Sequence, residues 1–526
     1  MTKRRGFPDC NLGCDEMIAK VNSIGLRGIE GYVIGVEADI SSGLPQWEIV
    51  GLPDVAVKES KERIRSAVKN SSFLMPNKRM VINLAPADIK KEGAYLDLPI
   101  AVGILIGSEQ LYVQELEDCV FMGELSLDGN LRRIRGALPM AVTAYQKGYK
   151  KIFLPEENAK EAAVVEGIEV YGVRDIAALM AHFGGGNKIN RTIIDAEKIF
   201  ETAANYTVDF ADVKGQLEAK RALEIAAAGG HNILLIGPPG SGKTMLAQRI
   251  PTILPDLTFD EALEVTKIHS IAGSLLDGKP MVMQRPFRSP HHTVSAVGLT
   301  GGGTNPKPGE ISLSHYGVLF LDELPEFRKD ALEVLRQPLE DGYVTITRAS
   351  GTYAYPCNVM LVASMNPCPC GFYGDRTHKC SCNSVQINRY LGKISGPLLD
   401  RIDLHIEVPA VPYEELEHKE KGETSSEIKT RVNRAREIQI ERYRGTGVYS
   451  NSDLTAPLIE KFCGLGPEEN ALLKEAFESL GLSARAHNRI LKVARTIADL
   501  DESVEIQAQH LAEAIQYRSL DRKFWQ

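Results

Sequence analysis

The chain has 526 residues, enough for about three or four domains with buried cores. At 43% hydrophobic and 25% charged residues it has the composition of a soluble globular protein, and its net charge of −8 excludes a uniformly basic nucleic-acid coat, confining any DNA contact to local patches. The opening Met1-Thr-Lys-Arg-Arg-Gly-Phe-Pro lacks the apolar core of a signal peptide, and the longest apolar run, 98–106, is too short to span a bilayer. A cytoplasmic location with no membrane partner is expected, and there the nine cysteines read as thiols or metal ligands rather than disulfides.

Residues 19–187 alternate short strand-like runs (32–38, 79–83, 151–154) with helical ones such as 57–69, the pattern of a mixed α/β domain. The glycine cluster Phe183-Gly-Gly-Gly-Asn187 closes it as a linker.

The block 188–410 opens with strands rich in Val, Ile and Leu, as in a parallel sheet covered on both faces. The apolar run Asn232-Ile-Leu-Leu-Ile236 delivers the chain to Gly237-Pro238-Pro239-Gly240-Ser241-Gly242-Lys243-Thr244, with helical residues 245–250 after it. Backbone N–H groups of such a turn wrap a triphosphate, and the following helix points its positive end at the same anion. Lys243 is expected to reach the β and γ phosphates of ATP, and Thr244 to hold Mg²⁺. Further on, Arg285-Pro-Phe-Arg288-Ser-Pro-His291-His292 and Gly301-Gly-Gly-Thr304 are too long and glycine-rich for a simple connector. Its two histidines suit a zinc or nucleotide contact, against the commoner packed or solvent-facing histidine.

Gly317-Val-Leu-Phe-Leu-Asp322-Glu323 is an apolar strand ending in two carboxylates, Asp322 for the Mg²⁺ shell and Glu323 to polarise the attacking water. Residues 344–355 alternate polar and apolar around a turn, a β-hairpin that presents Arg348 to a phosphate backbone or is purely structural. Leu361-Val-Ala-Ser-Met-Asn366 is another buried strand, with an amide placed to position that water. Cys368-Pro-Cys370 and Cys380-Ser-Cys382 follow, two close pairs able to converge on one structural Zn²⁺, or four reduced thiols.

From 411 to 526 helical periodicity runs almost throughout. Lys429, Arg431, Arg434, Arg436, Arg442 and Arg444 stand there against Glu437 and Glu441, either to track phosphates or as a solvated face.

The phosphate loop, acidic pair and Asn366 together resemble the AAA+ ATPases, in which Asn366 is the first sensor. Gly396-Pro-Leu-Leu-Asp-Arg401-Ile-Asp403 is similar to the arginine-finger segment of magnesium-chelatase-type members, so Arg401 is expected to act in a neighbouring subunit's site. Leu482-Ser-Ala-Arg485-Ala-His-Asn-Arg489 resembles the second-sensor helix, which implies that Arg485 touches the γ phosphate in its own subunit; Arg336 is a weaker candidate. By the same resemblance the stretch around Arg288 is an insertion that projects into a ring's pore.

The first block resembles the Lon-protease-like domain with its catalytic pair replaced. Glu92-Gly-Ala-Tyr-Leu-Asp97-Leu-Pro-Ile100 carries Ile100 at the nucleophile position, and Gly123-Glu-Leu-Ser-Leu-Asp-Gly129-Asn-Leu-Arg-Arg-Ile-Arg-Gly136-Ala-Leu138 carries Leu138 at the lysine position. Proteolysis by that dyad is excluded. With Ile49-Val-Gly-Leu-Pro-Asp54, Asn83-Leu-Ala-Pro-Ala-Asp88 and Ala494-Arg-Thr-Ile-Ala-Asp499, the whole chain is identified as resembling the ComM/YifB family of magnesium-chelatase-like AAA+ proteins.

That resemblance implies an AAA+ P-loop parallel-sheet core with an N-terminal Lon-protease-like α/β domain and a C-terminal helical lid. Residues 1–18 form an atypical extension, with Met17 an alternative translation start. The implied activity is an ATPase in a hexameric ring that moves branches in single-stranded and branched DNA during transformation. A metal-insertion ATPase of the magnesium-chelatase kind and a protein-remodelling chaperone are the rival functions. Arg288, Arg348, Lys429 and Arg431 are the candidate DNA contacts.

Overall fold

The computed structural model describes residues 18–195, 206–275, 278–348, 351–375, 378–411, 422–480 and 484–525. The chain folds as two compact units, one from residues 1–199 with 269–281 and the other from 200–268 with 282–526. Among the described residues no helix is long and apolar enough to cross a membrane.

The first unit is built on β1 (Ala19–Arg27), β2 (Glu30–Ser41), β3 (Gln46–Val50), β4 (Arg79–Ala85), β5 (Cys119–Phe121), the small hairpin β6 (Glu124–Leu125) and β7 (Leu131–Arg132), β8 (Lys151–Pro155), β9 (Glu169–Val173) and β10 (Arg191–Thr192). Eight of them form one mixed sheet in the order β10-β9-β8-β5-β1-β2-β4-β3. Successive side chains of a strand leave opposite faces, and the sheet uses both. Cys119, Phe121 and Phe153 enter one core; Val120, Met122, Ile152 and Leu154 enter the other. Helices Val55–Asn70 and Asp97–Gly107 close the first core, and Ala137–Gln146 with Glu156–Ala162 close the second. Asp54 starts the first of these helices by accepting the Val57 N–H at 2.7 Å. The segment 269–281 is held by Ser270, whose carbonyl accepts from Gly136 N–H at 3.2 Å and whose hydroxyl donates to the buried Glu161 carboxylate.

The second unit contains β11 (Ile233–Ile236), β12 (Phe287–Arg288), the hairpin β13 (Gly301–Gly302) and β14 (Lys307–Pro308), β15 (Val318–Leu321), the hairpin β16 (Tyr343–Arg348) and β17 (Gly351–Pro356), β18 (Met360–Met365) and β19 (Leu404–Glu407). Five form a wholly parallel sheet in the order β12-β15-β18-β11-β19. β11, β15 and β18 are buried at every position, which is why they read as unbroken apolar runs. Ile236 pairs with Met365 and Glu407, so β11, β18 and β19 end level, while Leu321 pairs with Ala363, so β15 stops two residues earlier and Asp322 and Glu323 follow it at the same end of the sheet. The C-terminal helices share one core with this sheet: Ile428, Val432, Ile490, Ala494, Ile497 and Leu511 pack with Ala222, Ile225 and Ala226 of helix Leu217–Gly229.

Candidate functional site

β11 hands the chain to Gly237, where a Cβ would lie 2.1 Å from the Val408 carbonyl oxygen, so no larger residue fits. Gly240 and Gly242 take φ of +76° and +85°, which glycine adopts without strain, and the turn runs directly into helix Lys243–Arg249. The nearly buried Lys243 ammonium donates to the carbonyls of Gly237 and Pro238, each at 2.9 Å, and to Asn366 Oδ1 at 3.3 Å. Burial lowers its pKa, against the nearby carboxylates of Asp322 and Glu323, which raise it. Thr244 Oγ1 donates to Asp322 Oδ2 at 2.8 Å, and the Ser364 hydroxyl donates to the other Asp322 oxygen.

Ser364 Oγ also accepts the Glu323 N–H at 3.3 Å. Glu323 has a left-handed backbone (φ 56°), an arrangement that costs a residue with a Cβ about 1–2 kcal/mol and is characteristic of functional turns. Its exposed carboxylate lies 3.9 Å from His292 Nδ1. Gln216 fastens the loop by donating to the Ser241 carbonyl. The structure thus gathers residues 237–244, Asp322, Glu323 and Asn366 at one end of the sheet, and adds Ser364, Gln216 and His292.

Arg401 and Arg485 lie at the opposite, amino end. Asn232, just before β11, donates from Nδ2 to the Arg401 carbonyl at 2.8 Å. Arg401 donates to the Pro397 carbonyl at 2.7 Å and pairs with Glu340, while Arg485 Nη1 is 3.6 Å from Asp400 Oδ2. Both line a cavity of about 860 Å³ together with Asp403, Arg489 and Lys492. Burial alone would raise the Asp403 carboxyl pKa, but hydrogen bonding to His231 and the charges of His231, Arg489 and Lys492 hold it at about 2. This placement corrects the reading of Arg485 as a contact to the γ phosphate of its own subunit, because the length of β11 separates it from the phosphate loop. Arg336 pairs with Glu333 at 2.7 Å within its own turn.

Most of the candidate DNA contacts are engaged inside the unit. Arg288 grips Glu310 with two hydrogen bonds of 2.7 and 2.8 Å. Lys429 pairs with Asp256, and Arg431 with Glu224 and Glu423. Arg434 faces Glu437 and Glu502, Arg436 donates to the carbonyls of Tyr449 and Ala227, Arg442 pairs with Asp499 and Arg444 with Glu441. Helix Ser425–Arg442 buries Ile428, Val432 and Ala435, and the stretch divides: Lys429, Arg431, Arg436 and Arg442 meet carboxylates and carbonyls of neighbouring elements, whereas Arg434 and Arg444 pair with exposed carboxylates on a solvated face. Arg348 differs. It ends β16 at the tip of the 343–356 hairpin, exposed beside Gly302 of the β13–β14 hairpin.

His291 bonds Thr293 Oγ1 at 2.9 Å, and its ring lies 4.0 Å from that of His292. The sulfurs of Cys368, Cys370, Cys380 and Cys382 all lie within 4.8 Å of one another. In the first unit Ile100 and Leu138 are fully buried, and the Leu138 N–H donates to Glu161 Oε1 at 3.1 Å. Neither position holds a nucleophile or a base.

Three family profiles match the chain: "Magnesium chelatase, subunit ChlI" over residues 209–416, "Subunit ChlI of Mg-chelatase" over 36–158 and "Magnesium chelatase, subunit ChlI C-terminal" over 422–518. The competence protein ComM of Haemophilus influenzae is 44% identical over 510 residues, covering 96% of this chain and 98% of its own. The YifB protein of Escherichia coli is 45% identical over 496 residues, covering 94% of this chain and 96% of its own. A magnesium-chelatase 67 kDa subunit of Chlorobaculum parvum is 27% identical over 166 residues, which are 30% of this chain and 23% of that subunit.

Proposed function

The chain belongs to the ComM/YifB family of magnesium-chelatase-like AAA+ proteins, and from that premise we propose that it is an ATP-driven ring motor acting on single-stranded and branched DNA. The observation that carries the ATPase reading is the meeting of Lys243, Thr244, Asp322, Glu323 and Asn366 at the carboxyl ends of β11, β15 and β18. Lys243 neutralises the β and γ phosphates, Glu323 polarises the attacking water, and Asn366 orients that water while bound to Lys243. Thr244 and Asp322 already touch and would hold Mg²⁺, which when bound spreads the charge of the triphosphate.

Arg401 and Arg485 complete the site of a neighbouring subunit, so hydrolysis requires assembly, a hexamer in this reading. In the first unit, the apolar residues at 100 and 138 fit a Lon-like fold kept as a scaffold or a DNA-facing platform without peptidase chemistry. The function of the full-length relative named as a competence protein favours DNA over metal insertion, because the chelatase subunit matches only a part of the chain. Arg348, exposed on a hairpin tip, is the DNA contact we favour.

ATPase rates with single-stranded DNA, forked DNA, a porphyrin-chelatase partner or unfolded protein added separate these functions. Stimulation and strand movement are expected with forked DNA, and Glu323→Gln should cut the rate by about two orders of magnitude while nucleotide binding persists. Stimulation by unfolded protein alone overturns the DNA reading.

A further inference from the structure

The four cysteines stand next to the nucleotide machinery rather than on a remote insertion. Cys368 is fully buried and lies two residues past Asn366. Its sulfur is 3.3 Å from that of Cys370 and 3.7 Å from that of Cys380, and Cys370 and Cys380 are 3.5 Å apart. With zinc–sulfur bonds of about 2.3 Å, the edge of a tetrahedral site is about 3.8 Å, so these thiols already approach that arrangement, with Cys382 within 4.8 Å of each. A soft, four-sulfur tetrahedron selects zinc over the oxygen-seeking cations.

Two contacts join this cluster to the ATP site. Gly371 sits directly on the phosphate loop: a Cβ there would meet Pro239 Cδ at 2.4 Å, and its φ of +87° suits glycine. On the far side of the cluster, helix Ser384–Leu391 starts at a capping box made by Asn383 and Gln386, and its Tyr390 hydroxyl, whose pKa burial raises, lies near enough to the Asn366 backbone for that backbone to lower it in opposition. The chain therefore leaves Asn366, passes through all four thiols and returns to Asn366, touching the phosphate loop on the way.

We propose that Cys368, Cys370, Cys380 and Cys382 hold one zinc ion, and that this tetrathiolate clamps Pro239 and Asn366 so that metal occupancy sets nucleotide affinity. The inference rests on the assignment of residues 237–244 as the nucleotide loop. Zinc ties the two cysteine pairs together, and the loop so stiffened presses Gly371 against the turn that must hold its shape for phosphate.

The test uses the full chain purified without chelators. Metal analysis should find about one zinc per chain, released by a mercurial thiol reagent into a chromogenic chelator. Cys380→Ser should lose the zinc and bind fluorescent ADP about tenfold or more weakly. Gly371→Ala leaves every thiol in place; it should keep zinc and still weaken ADP binding, which separates the clamp from a general loss of folding. Zinc below about half an equivalent, or iron in its place, overturns the metal site. Undiminished ADP affinity in both variants overturns the coupling. If wild-type protein holds zinc but binds no ADP, the nucleotide assignment itself has failed.

Discussion

Whether Arg401 serves its own subunit or the next is decided by distance. Its carbonyl is anchored to Asn232, and the phosphate loop opens at Gly237, five residues further along. At about 3.3 Å per strand residue the separation is about 16 Å, whereas an extended arginine reaches about 7 Å from its Cα. The shortfall of about 9 Å rules out action on its own nucleotide without the sheet coming apart. Arg401→Ala should therefore lower the ATPase rate by about two to three orders of magnitude while nucleotide affinity stays near wild type. Mixing supplies the decisive assay. Lys243→Ala subunits lack a working phosphate loop but keep Arg401, so in randomly mixed equimolar rings about one interface in four pairs an intact loop with an intact arginine. The mixture should recover up to about a quarter of the wild-type rate per subunit, far above either parent. If native mass spectrometry confirms mixed rings and the rate stays at the mean of the parents, Arg401 does not act between subunits.

Two other outcomes follow from buried charge. Asp97 is fully buried and its carboxyl is pushed up to about 6 by burial, which outweighs hydrogen bonds of 2.8 and 2.9 Å from Arg63. The folded state thus favours the protonated acid, and the stability this supplies is complete below the ordinary carboxyl value and lost as pH rises through about 6. A shift of this size corresponds to roughly 3 kcal/mol, lost between the ordinary carboxyl value and about 6, so amide exchange in helix Asp97–Gly107 should quicken between about pH 4 and about pH 6.5 relative to an Asp97→Asn variant; parallel pH profiles for the two proteins would refute the assignment. Arg431→Ala should destabilise the chain by about 1–2 kcal/mol in denaturant melts, because Glu224, 6% exposed, then keeps Arg221 alone as a cationic partner among the described residues. DNA affinity and its salt dependence should not change, whereas Arg348→Ala should weaken both; a reduced salt slope in the Arg431 variant would restore the basic helix as a DNA contact.

The parts of the site legible in the sequence are those whose geometry is dictated locally. The glycines at 237, 240 and 242 are needed for close approach or for left-handed backbone, and the strand and helix on either side are written as apolar and helical runs. Asp322 and Asn366 follow buried strands, so their neighbourhood is implied once a parallel sheet is accepted. Ser364 was hidden, since a serine inside an apolar strand carries no mark that its hydroxyl will orient Asp322. Gln216 was equally silent, reaching the loop from 25 residues away. The basic stretch was legible only in part, because composition reports a helix's own charges and not the carboxylates it will meet: Glu224 is 207 residues from Arg431 in the chain. Arg485 misled for a related reason. A motif can mark an arginine as meant for phosphate, but only the sheet's direction tells at which end it stands.

The same direction gives β11 two ends with two duties. At one end it carries Gly237, Lys243 and Thr244; at the other Asn232 holds the Arg401 carbonyl, accepts the Leu361 N–H at 2.7 Å and donates its own N–H to Asp403 at 3.2 Å. The strand between is four residues long and paired on both edges, to β18 and to β19, at every position. A buried strand so held moves as a unit, because sliding it past either neighbour breaks a ladder and misplaces its apolar side chains. If Arg401 serves a neighbour's nucleotide as proposed, that nucleotide pulls on the same short element that sets the position of the subunit's own phosphate loop. Coupling between adjacent sites then needs no long chain of contacts through the subunit, only the stiffness of one strand about 16 Å from anchor to loop.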